Sequence, residues 1–333
     1  LMALRQSSGV TRPGEPPFRP SRGKPSRRAL RTAYFDAFRQ DRANIEAGLY
    51  RAPRDLSLDT MPTALQRVRR FLADVADVDR RRRDRDGTEV RRSEAADPQR
   101  YPAYYRQNFH YQSGGWLSDD SAALYDHQVE VLFTGAAGAM RRAALADVAK
   151  ALAGRDQRGV SLLDLACGTG AFLAETLRNY PRLKATGIDL SPNYCAHASE
   201  AVADWPQAEI VQGQAESLPL DDDSQDIAVC IYLFHELPPR VRPAVLAEVR
   251  RVLKPGGTFV LADSLQFGDR DGVDGFLEYF PEGFHEPYYR GYLFWDLDAA
   301  MAEAGFTAEA KTLSFLTKVT SWRPADGVAV ERP

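Results

Sequence analysis

Three phenylalanine–histidine pairs stand out in a chain with only five histidines: Phe109-His110, Phe234-His235 and Phe284-His285. The last two continue into Glu236 and Glu286, so that imidazole and carboxylate lie side by side. An unperturbed imidazole titrates at ~6.5, which makes His235 a candidate general base near neutral pH, with Glu236 as its catalytic neighbour. The competing reading is a cap on the helix that follows Pro238-Pro239. Adjacent His and Glu do not face one ion as histidines at i and i+4 do, so a pocket without metal is expected.

A second group of residues suits a bound cofactor. In "LLDLACGTGAF" (Leu162–Phe172), Gly168 and Gly170 let the backbone turn tightly at a strand-to-helix junction and approach a ligand. The dinucleotide fingerprint wants a small residue where this chain has Leu173. Asp164 inside the motif is a poor neighbour for a pyrophosphate. It suits a positively charged cofactor, and S-adenosylmethionine carries an ammonium and a sulfonium. Asp189, nineteen residues after Gly170, is placed to grip both ribose hydroxyls. Gln214, Ala215 and Glu216 follow the next strand, where an adenine edge would lie; the Gln214 carbonyl can accept from the adenine amino group. Cys167 reads as a small packed residue, since no base is placed to activate it.

Alternating elements must position these groups. After Gly159 come the strands "VSLLDLA", "KATGIDL", "AEIVQG", "DIAVCIYLF" and "TFVLADS", the first, second and fourth followed by a helical pattern. A helix "FWDLDAAMAEAGF" and two strands only a turn apart, "AEAKTLSF" and "TKVTSWRP", close the chain. The pattern predicts an α/β fold: a doubly wound, mostly parallel, Rossmann-like sheet of seven strands with an antiparallel hairpin at one edge.

The motifs "DLACGTG", "GIDLS", "GQAESLPLDDDSQD" and "EVRRVLKPGGTFVLADS" together resemble the class I S-adenosylmethionine-dependent methyltransferases, nearest the ubiquinone/menaquinone C-methyltransferase branch. The resemblance covers residues 159–324 in order. It implies that Gly168 and Gly170 line the methionine part, near Asp164 and the backbone of Ala166 and Cys167. It puts Asp189 and Leu190 at the ribose and Ile231 close to the adenine site. The product would be S-adenosylhomocysteine. N-terminal helices commonly cap the site in this superfamily, which makes His110, Tyr111, Trp116 and Tyr125 candidate pocket residues. Arg141 or Arg142 is a candidate for the methionine carboxylate.

Residues 264–292 form a long connection rich in Phe and Tyr, the composition of an aromatic lid, with His285, Tyr288 and Tyr289 as candidate acceptor contacts. His285 and Glu286 precede Pro287 and should be extended.

Upstream, residues 1–31 hold eight basic residues, one acid and five prolines, and should form a disordered basic tail. Residues 32–158 read as a helical extension or cap, with Leu65, Val68, Leu72, Val75 and Val78 on one helical face. The run "DRRRRDRDG" (Asp79–Gly87) reads as a solvated helix end. Residues 159–333 form the cofactor-binding domain.

A net charge of −3 gives no global pull toward nucleic acid or anionic membrane. The longest apolar run, Ile227–Phe234, is too short to span a bilayer. The opening "LMALRQSSGV" lacks the order of a secretory signal. Three scattered cysteines fit a reduced, cytoplasmic setting. The expected protein is a methyltransferase acting on oxygen or carbon of a small planar or aromatic metabolite. The alternatives are a cofactor-binding relative with other chemistry and a regulatory or peptide-binding module. Sequence leaves the oligomeric state open.

Overall fold

The computed structural model describes residues 18–53 and 77–325. The predicted residues Leu65, Val68, Leu72 and Val75 lie outside the described residues. Helix α1 (Arg27–Glu46) starts at Ser26, whose hydroxyl accepts from the Ala29 amide. After helical residues 77–84 and an irregular aromatic stretch come α2 (Asp119–Leu132), capped by Ser118, and α3 (Ala137–Leu152). The sheet then begins: β1 (Ser161–Leu165), α4 (Ala171–Asn179), β2 (Lys184–Asp189), α5 (Pro192–Ala201), β3 (Ala208–Gln212), β4 (Gln225–Ile231), α6 (Arg242–Val252) and β5 (Leu253–Ser264). Helices α7 (Asp274–Gly283), α8 (Tyr289–Leu293) and α9 (Leu297–Glu303) precede β6 (Phe306–Ser314) and β7 (Thr317–Pro324).

The sheet order is β3-β2-β1-β4-β5-β7-β6, with β7 antiparallel to both neighbours. The seven-stranded, mostly parallel sheet expected from the sequence thus forms. Side chains alternate across it with the period of two that a strand dictates. Leu163, Leu165, Ala228, Cys230, Phe259 and Leu261 pack on α6. Leu162, Ile227, Val229, Val260 and Ala262 pack on α3 and α4. Strand order reverses between β1 and β4, and the crevice beyond their carboxyl ends is where such sheets bind ligands. Among the described residues no helix is long and apolar enough to cross a membrane.

Four local expectations are corrected. Residues 18–31 are not disordered: Ser21 and the Arg22 amide bond Glu278, Phe18 meets the Tyr279 ring, and α1 starts at Arg27. The arginine run is not wholly solvated. Arg81 is buried against Glu89, the Tyr111 carbonyl and Ser113, and Arg82 donates to the Gly283 carbonyl at 2.8 Å. Strand β4 stops at Ile231 because Tyr232 turns left-handed (φ 59°), and residues 234–236 form a short 3-10 turn. The lid is largely helical. Val273, Phe276, Leu277 and Phe280 recur at helical spacing and pack with Ala33 and Ala37 of α1, a periodicity that the aromatic composition masked.

Gly170 is set by packing. Its φ is +75°, and a Cβ there would lie 2.9 Å from the Ala198 Cα of α5. Gly170→Ala is therefore expected to destabilise the fold by ~2–4 kcal/mol, measured as a lower urea midpoint at unchanged slope.

Candidate active site

The ends of β1, β2 and β4 open into a cavity with about 1090 Å³ of empty space. Beyond β1, Ala166 and Gly168 are left-handed (both φ 56°), which folds the chain back toward β2. The Cys167 amide donates to the Ile188 carbonyl, and the Gly168 amide to Asp189 Oδ2, both at 3.0 Å. Ser191 donates its amide to Asp189 Oδ1 at 2.8 Å. Burial raises the Asp189 pKa, against the pull of the backbone N–H groups of Ser191, Gly168 and Leu190. A Cβ on Gly168 would find nothing nearer than Tyr194 at 4.0 Å, so its backbone is open to a ligand.

Asp164 is the anomaly. It is buried, and its Oδ2 has no hydrogen-bond partner. Burial, and then the charge of Asp189, push its pKa up to about 8. A buried acceptor left unpaired costs free energy that a cationic ligand would recover. Glu216 also has one buried oxygen without a partner, while the other accepts from the Tyr104 hydroxyl. Trp116, Tyr125 and Tyr194 pack edge-to-face at 5.5–5.7 Å and wall the cavity with three aromatic rings. Burial holds the Cys167 thiol well above its ordinary pKa, so it is no thiolate nucleophile.

A second, smaller cavity adjoins the first, and Tyr125, Val129, Tyr232 and Glu236 line both. One wall carries His110, His235, Glu236 and Glu286; the rest is mostly apolar, with Met140, Phe276, Leu277, Phe280 and Leu316. His235 Nδ1 lies 2.6 Å from Asp263 Oδ1. Asp263 also accepts from the amides of Phe234 and Ser264, which fixes the turn that carries His235. Burial lowers the His235 pKa, but the charge and hydrogen bond of Asp263 outweigh it and set the pKa at about 9. His235 is thus an imidazolium at neutral pH, not the free base its ordinary value suggests. Burial raises Glu236 to about 7, against the pull of His235 and His110.

The structure brings together most of the residues singled out by sequence. Asp164, Ala166, Cys167, Gly168, Asp189, Leu190, Ala215, Glu216 and Ile231 line the first cavity, and so do Trp116 and Tyr125. Gln214 and Gly170 do not; Gly170 faces α5. His110, His235, Glu236 and Tyr289 line the second cavity, whereas Tyr111, His285 and Tyr288 line neither. His285 turns outward to Gln107 (3.0 Å) and the Tyr111 ring, and the Tyr288 hydroxyl accepts from Gln107. His285→Ala is accordingly expected to leave turnover within ~3-fold while costing roughly 1–2 kcal/mol of stability, read from kinetics and thermal melts side by side.

Arg141 lines the first cavity beside Asp126 and Glu130 (3.5 and 3.7 Å). Arg142 instead pairs with Asp41 at 2.8 Å under α1. Sequence reasoning passed over Tyr104, Tyr105, Thr169, Tyr194 and Asp263. For Asp263 a signal existed: an acid near the carboxyl end of a strand, as with Asp164 and Asp189. Among the described residues no group of three or more His, Cys, Asp or Glu side chains is arranged to hold a metal ion.

Residues 162–257 match the methyltransferase domain family. By that match the stretch is similar to methyltransferase domains. An uncharacterized methyltransferase of Synechocystis sp. is 37% identical over 108 residues, covering 32% of this chain and 47% of that protein. A ubiquinone/menaquinone biosynthesis C-methyltransferase of Desulfotalea psychrophila is 35% identical over 152 residues, covering 44% of this chain and 56% of that protein. Among solved structures, a 1,6-didemethyltoxoflavin-N1-methyltransferase of Burkholderia thailandensis with bound S-adenosylhomocysteine aligns with TM-score 0.44 and 18% identity, over 60% of this chain and 84% of that one. The chain spans about half or less of the first curated relatives it matches, such as 47% and 41% of two of them. The matched stretch covers β1 to the start of β5 and includes Tyr194; Trp116, Tyr125 and the lid come from sequence outside it.

Proposed function

We propose that this protein transfers a methyl group from S-adenosylmethionine to a small, largely apolar acceptor through a weakly acidic oxygen or carbon. The observation that carries the reading is the unpaired, buried Asp164 carboxylate in a cavity that meets a second one at Glu236. In this reading Asp164 and the open Gly168 backbone hold the methionine end, and Arg141 faces its carboxylate. Asp189, whose two oxygens are already oriented by backbone N–H groups, takes the ribose, and Gly213, Ala215 and Glu216 border the adenine. The cofactor supplies an electrophilic methyl group and leaves as the neutral thioether.

The protein's part is alignment and exclusion of water, worth up to ~7–11 kcal/mol, together with removal of the acceptor's proton. The buried row of His235, Glu236, His110 and Glu286 supplies the proton acceptor, and the apolar wall of the second cavity selects the acceptor's body. The named substrates of similar proteins, among them quinone-type rings and sterols, fit a cavity of this character. Incubation with methyl-labelled S-adenosylmethionine and a panel of phenols, enols and 1,3-dicarbonyls checks the proposal. Label should appear in an organic acceptor in step with S-adenosylhomocysteine. Tight cofactor binding with no label transferred across the panel would favour a non-methylating relative.

A further inference from the structure

Four segments distant in sequence meet in one buried row of ionisable side chains. Glu236 Oε1 lies 3.8 Å from His235 Nε2 and also 3.8 Å from His110 Nε2. His235 is backed by Asp263 at 2.6 Å through its other nitrogen, and His110 lies 3.0 Å from Glu286. The order is carboxylate, imidazole, carboxylate, imidazole, carboxylate. Its members come from the end of β5, the turn after β4, the irregular stretch before α2, and the link between α7 and α8. Asp263 and Glu286 are 1% and 4% exposed.

The backbone is committed to this arrangement. His110 is left-handed (φ 55°), an unusual conformation for a non-glycine residue, and its amide donates to the His285 carbonyl, tying the N-terminal stretch to the lid. Arg242, 1% exposed, donates to the carbonyls of Phe234 and Tyr288 and so joins the turn after β4 to the same lid. Meanwhile His110 Nε2 and Glu286 Oε2 are buried without a well-formed hydrogen bond. The two 3.8 Å gaps are too long for direct hydrogen bonds.

Resting on the methyl-transfer reading of this site, we infer that Glu236 takes the acceptor's proton and that Asp263, His235, His110 and Glu286 form with it one proton-sharing relay. The acceptor's X–H bond breaks, the proton passes to the Glu236 carboxylate, and the bonding pair stays on X, where it is available to the methyl group. The flanking imidazoles stabilise the ionised acceptor and share the proton afterwards. Tyr105, Tyr125 and Tyr194 also face Glu236, and His285 faces His110. Tyr232, Tyr289 and Tyr292 surround the His235 ring. Burial holds all the tyrosines named here above their ordinary pKa, which leaves Glu236 and its two flanking imidazoles, His110 and His235, to exchange protons in this row. The relay gives both the lid and the N-terminal stretch a part: the lid brings Glu286 and the N-terminal stretch brings His110.

Nitrogen-resolved NMR titration of the imidazoles tests the relay without an acceptor. The full chain, with S-adenosylhomocysteine, is followed from about pH 5 to about pH 10 as wild type, Glu236→Gln and Glu286→Gln, with His127 and His197 as internal references. In wild type, His110 and His235 should stay protonated above the ordinary histidine range and share a common step. Glu286→Gln should lower the His110 midpoint by at least ~1 pH unit and displace the His235 curve as well. Glu236→Gln should remove the shared step. Independent curves, with His235 unmoved by Glu286→Gln, would overturn the relay. If that variant does not fold, His110→Gln read at His235 gives the same test. Failure of the wild type to bind S-adenosylhomocysteine would strike the cofactor reading instead, and the titration of the ligand-free chain would still decide the relay.

Discussion

Asp164→Asn is expected to make the ligand-free protein more stable and its cofactor binding about a hundredfold weaker. Both follow from one buried carboxylate oxygen with no partner. Its folded pKa, about 8, lies far above the ordinary 3.8. The folded state therefore binds more protons than the unfolded chain between those values. The sign is fixed by linkage: stability falls as pH rises from about 4 to about 8, then levels. Asparagine cannot ionise, so its gain should be small at pH 5 and amount to several degrees of Tm at pH 8. A cation beside Asp164 reverses the balance, because removing one partner of a buried charge pair costs ~3 kcal/mol or more. Wild-type affinity for S-adenosylmethionine should rise from about pH 6 to about pH 8, as binding has to expel the Asp164 proton below its pKa, and the variant should lack this rise. Calorimetric titrations at a series of pH values, paired with melts, measure both effects. A variant less stable and equally tight in binding would remove Asp164 from the cofactor site.

Glu236→Gln should lower turnover by 10²- to 10⁴-fold, the usual worth of a positioned proton acceptor, while cofactor affinity stays within a few-fold. Glutamine keeps the shape and hydrogen bonding of the side chain and loses only its capacity to take a proton. The pH profile carries the sharper prediction. Activity should rise with pH through a midpoint near 7, as Glu236 ionises, and fall through a midpoint near 9, as His235 loses the charge that Asp263 maintains. These limits belong to the coupled set of Glu236, His235 and His110, not to isolated groups. His235→Ala should also spare cofactor binding and cut turnover, and it should abolish the alkaline fall. A single-limb profile centred on the ordinary histidine range would restore His235 as a simple base and contradict this assignment.

The sheet was legible because its signals are local. Short, continuously apolar strands, glycines at positive φ and acids at strand ends each leave a mark within a few residues, and their order fixes the doubly wound topology. Asp164 and Asp189 were identifiable for the same reason. The second cavity was only half legible. That His110, His235 and Glu286 meet depends on where three distant segments dock, which no spacing encodes. Within one tripeptide Glu286 turns inward while His285 turns away, a choice made by the Pro287 turn and by Gln107. The protonation of His235 was misjudged from its ordinary pKa because Asp263, twenty-eight residues away in sequence, decides it. The helical lid was hidden by its aromatic content, which reads as pocket lining before it reads as periodicity.

The account stands on a cofactor in the first cavity with its reactive end toward Glu236. A crystal structure of the full chain with S-adenosylhomocysteine tests this most directly. The predicted result is density between β1 and β2, with the ribose hydroxyls on Asp189, the ammonium beside Asp164 and the sulfur facing the second cavity. Ligand bound elsewhere, or its sulfur turned away from Glu236, would contradict it.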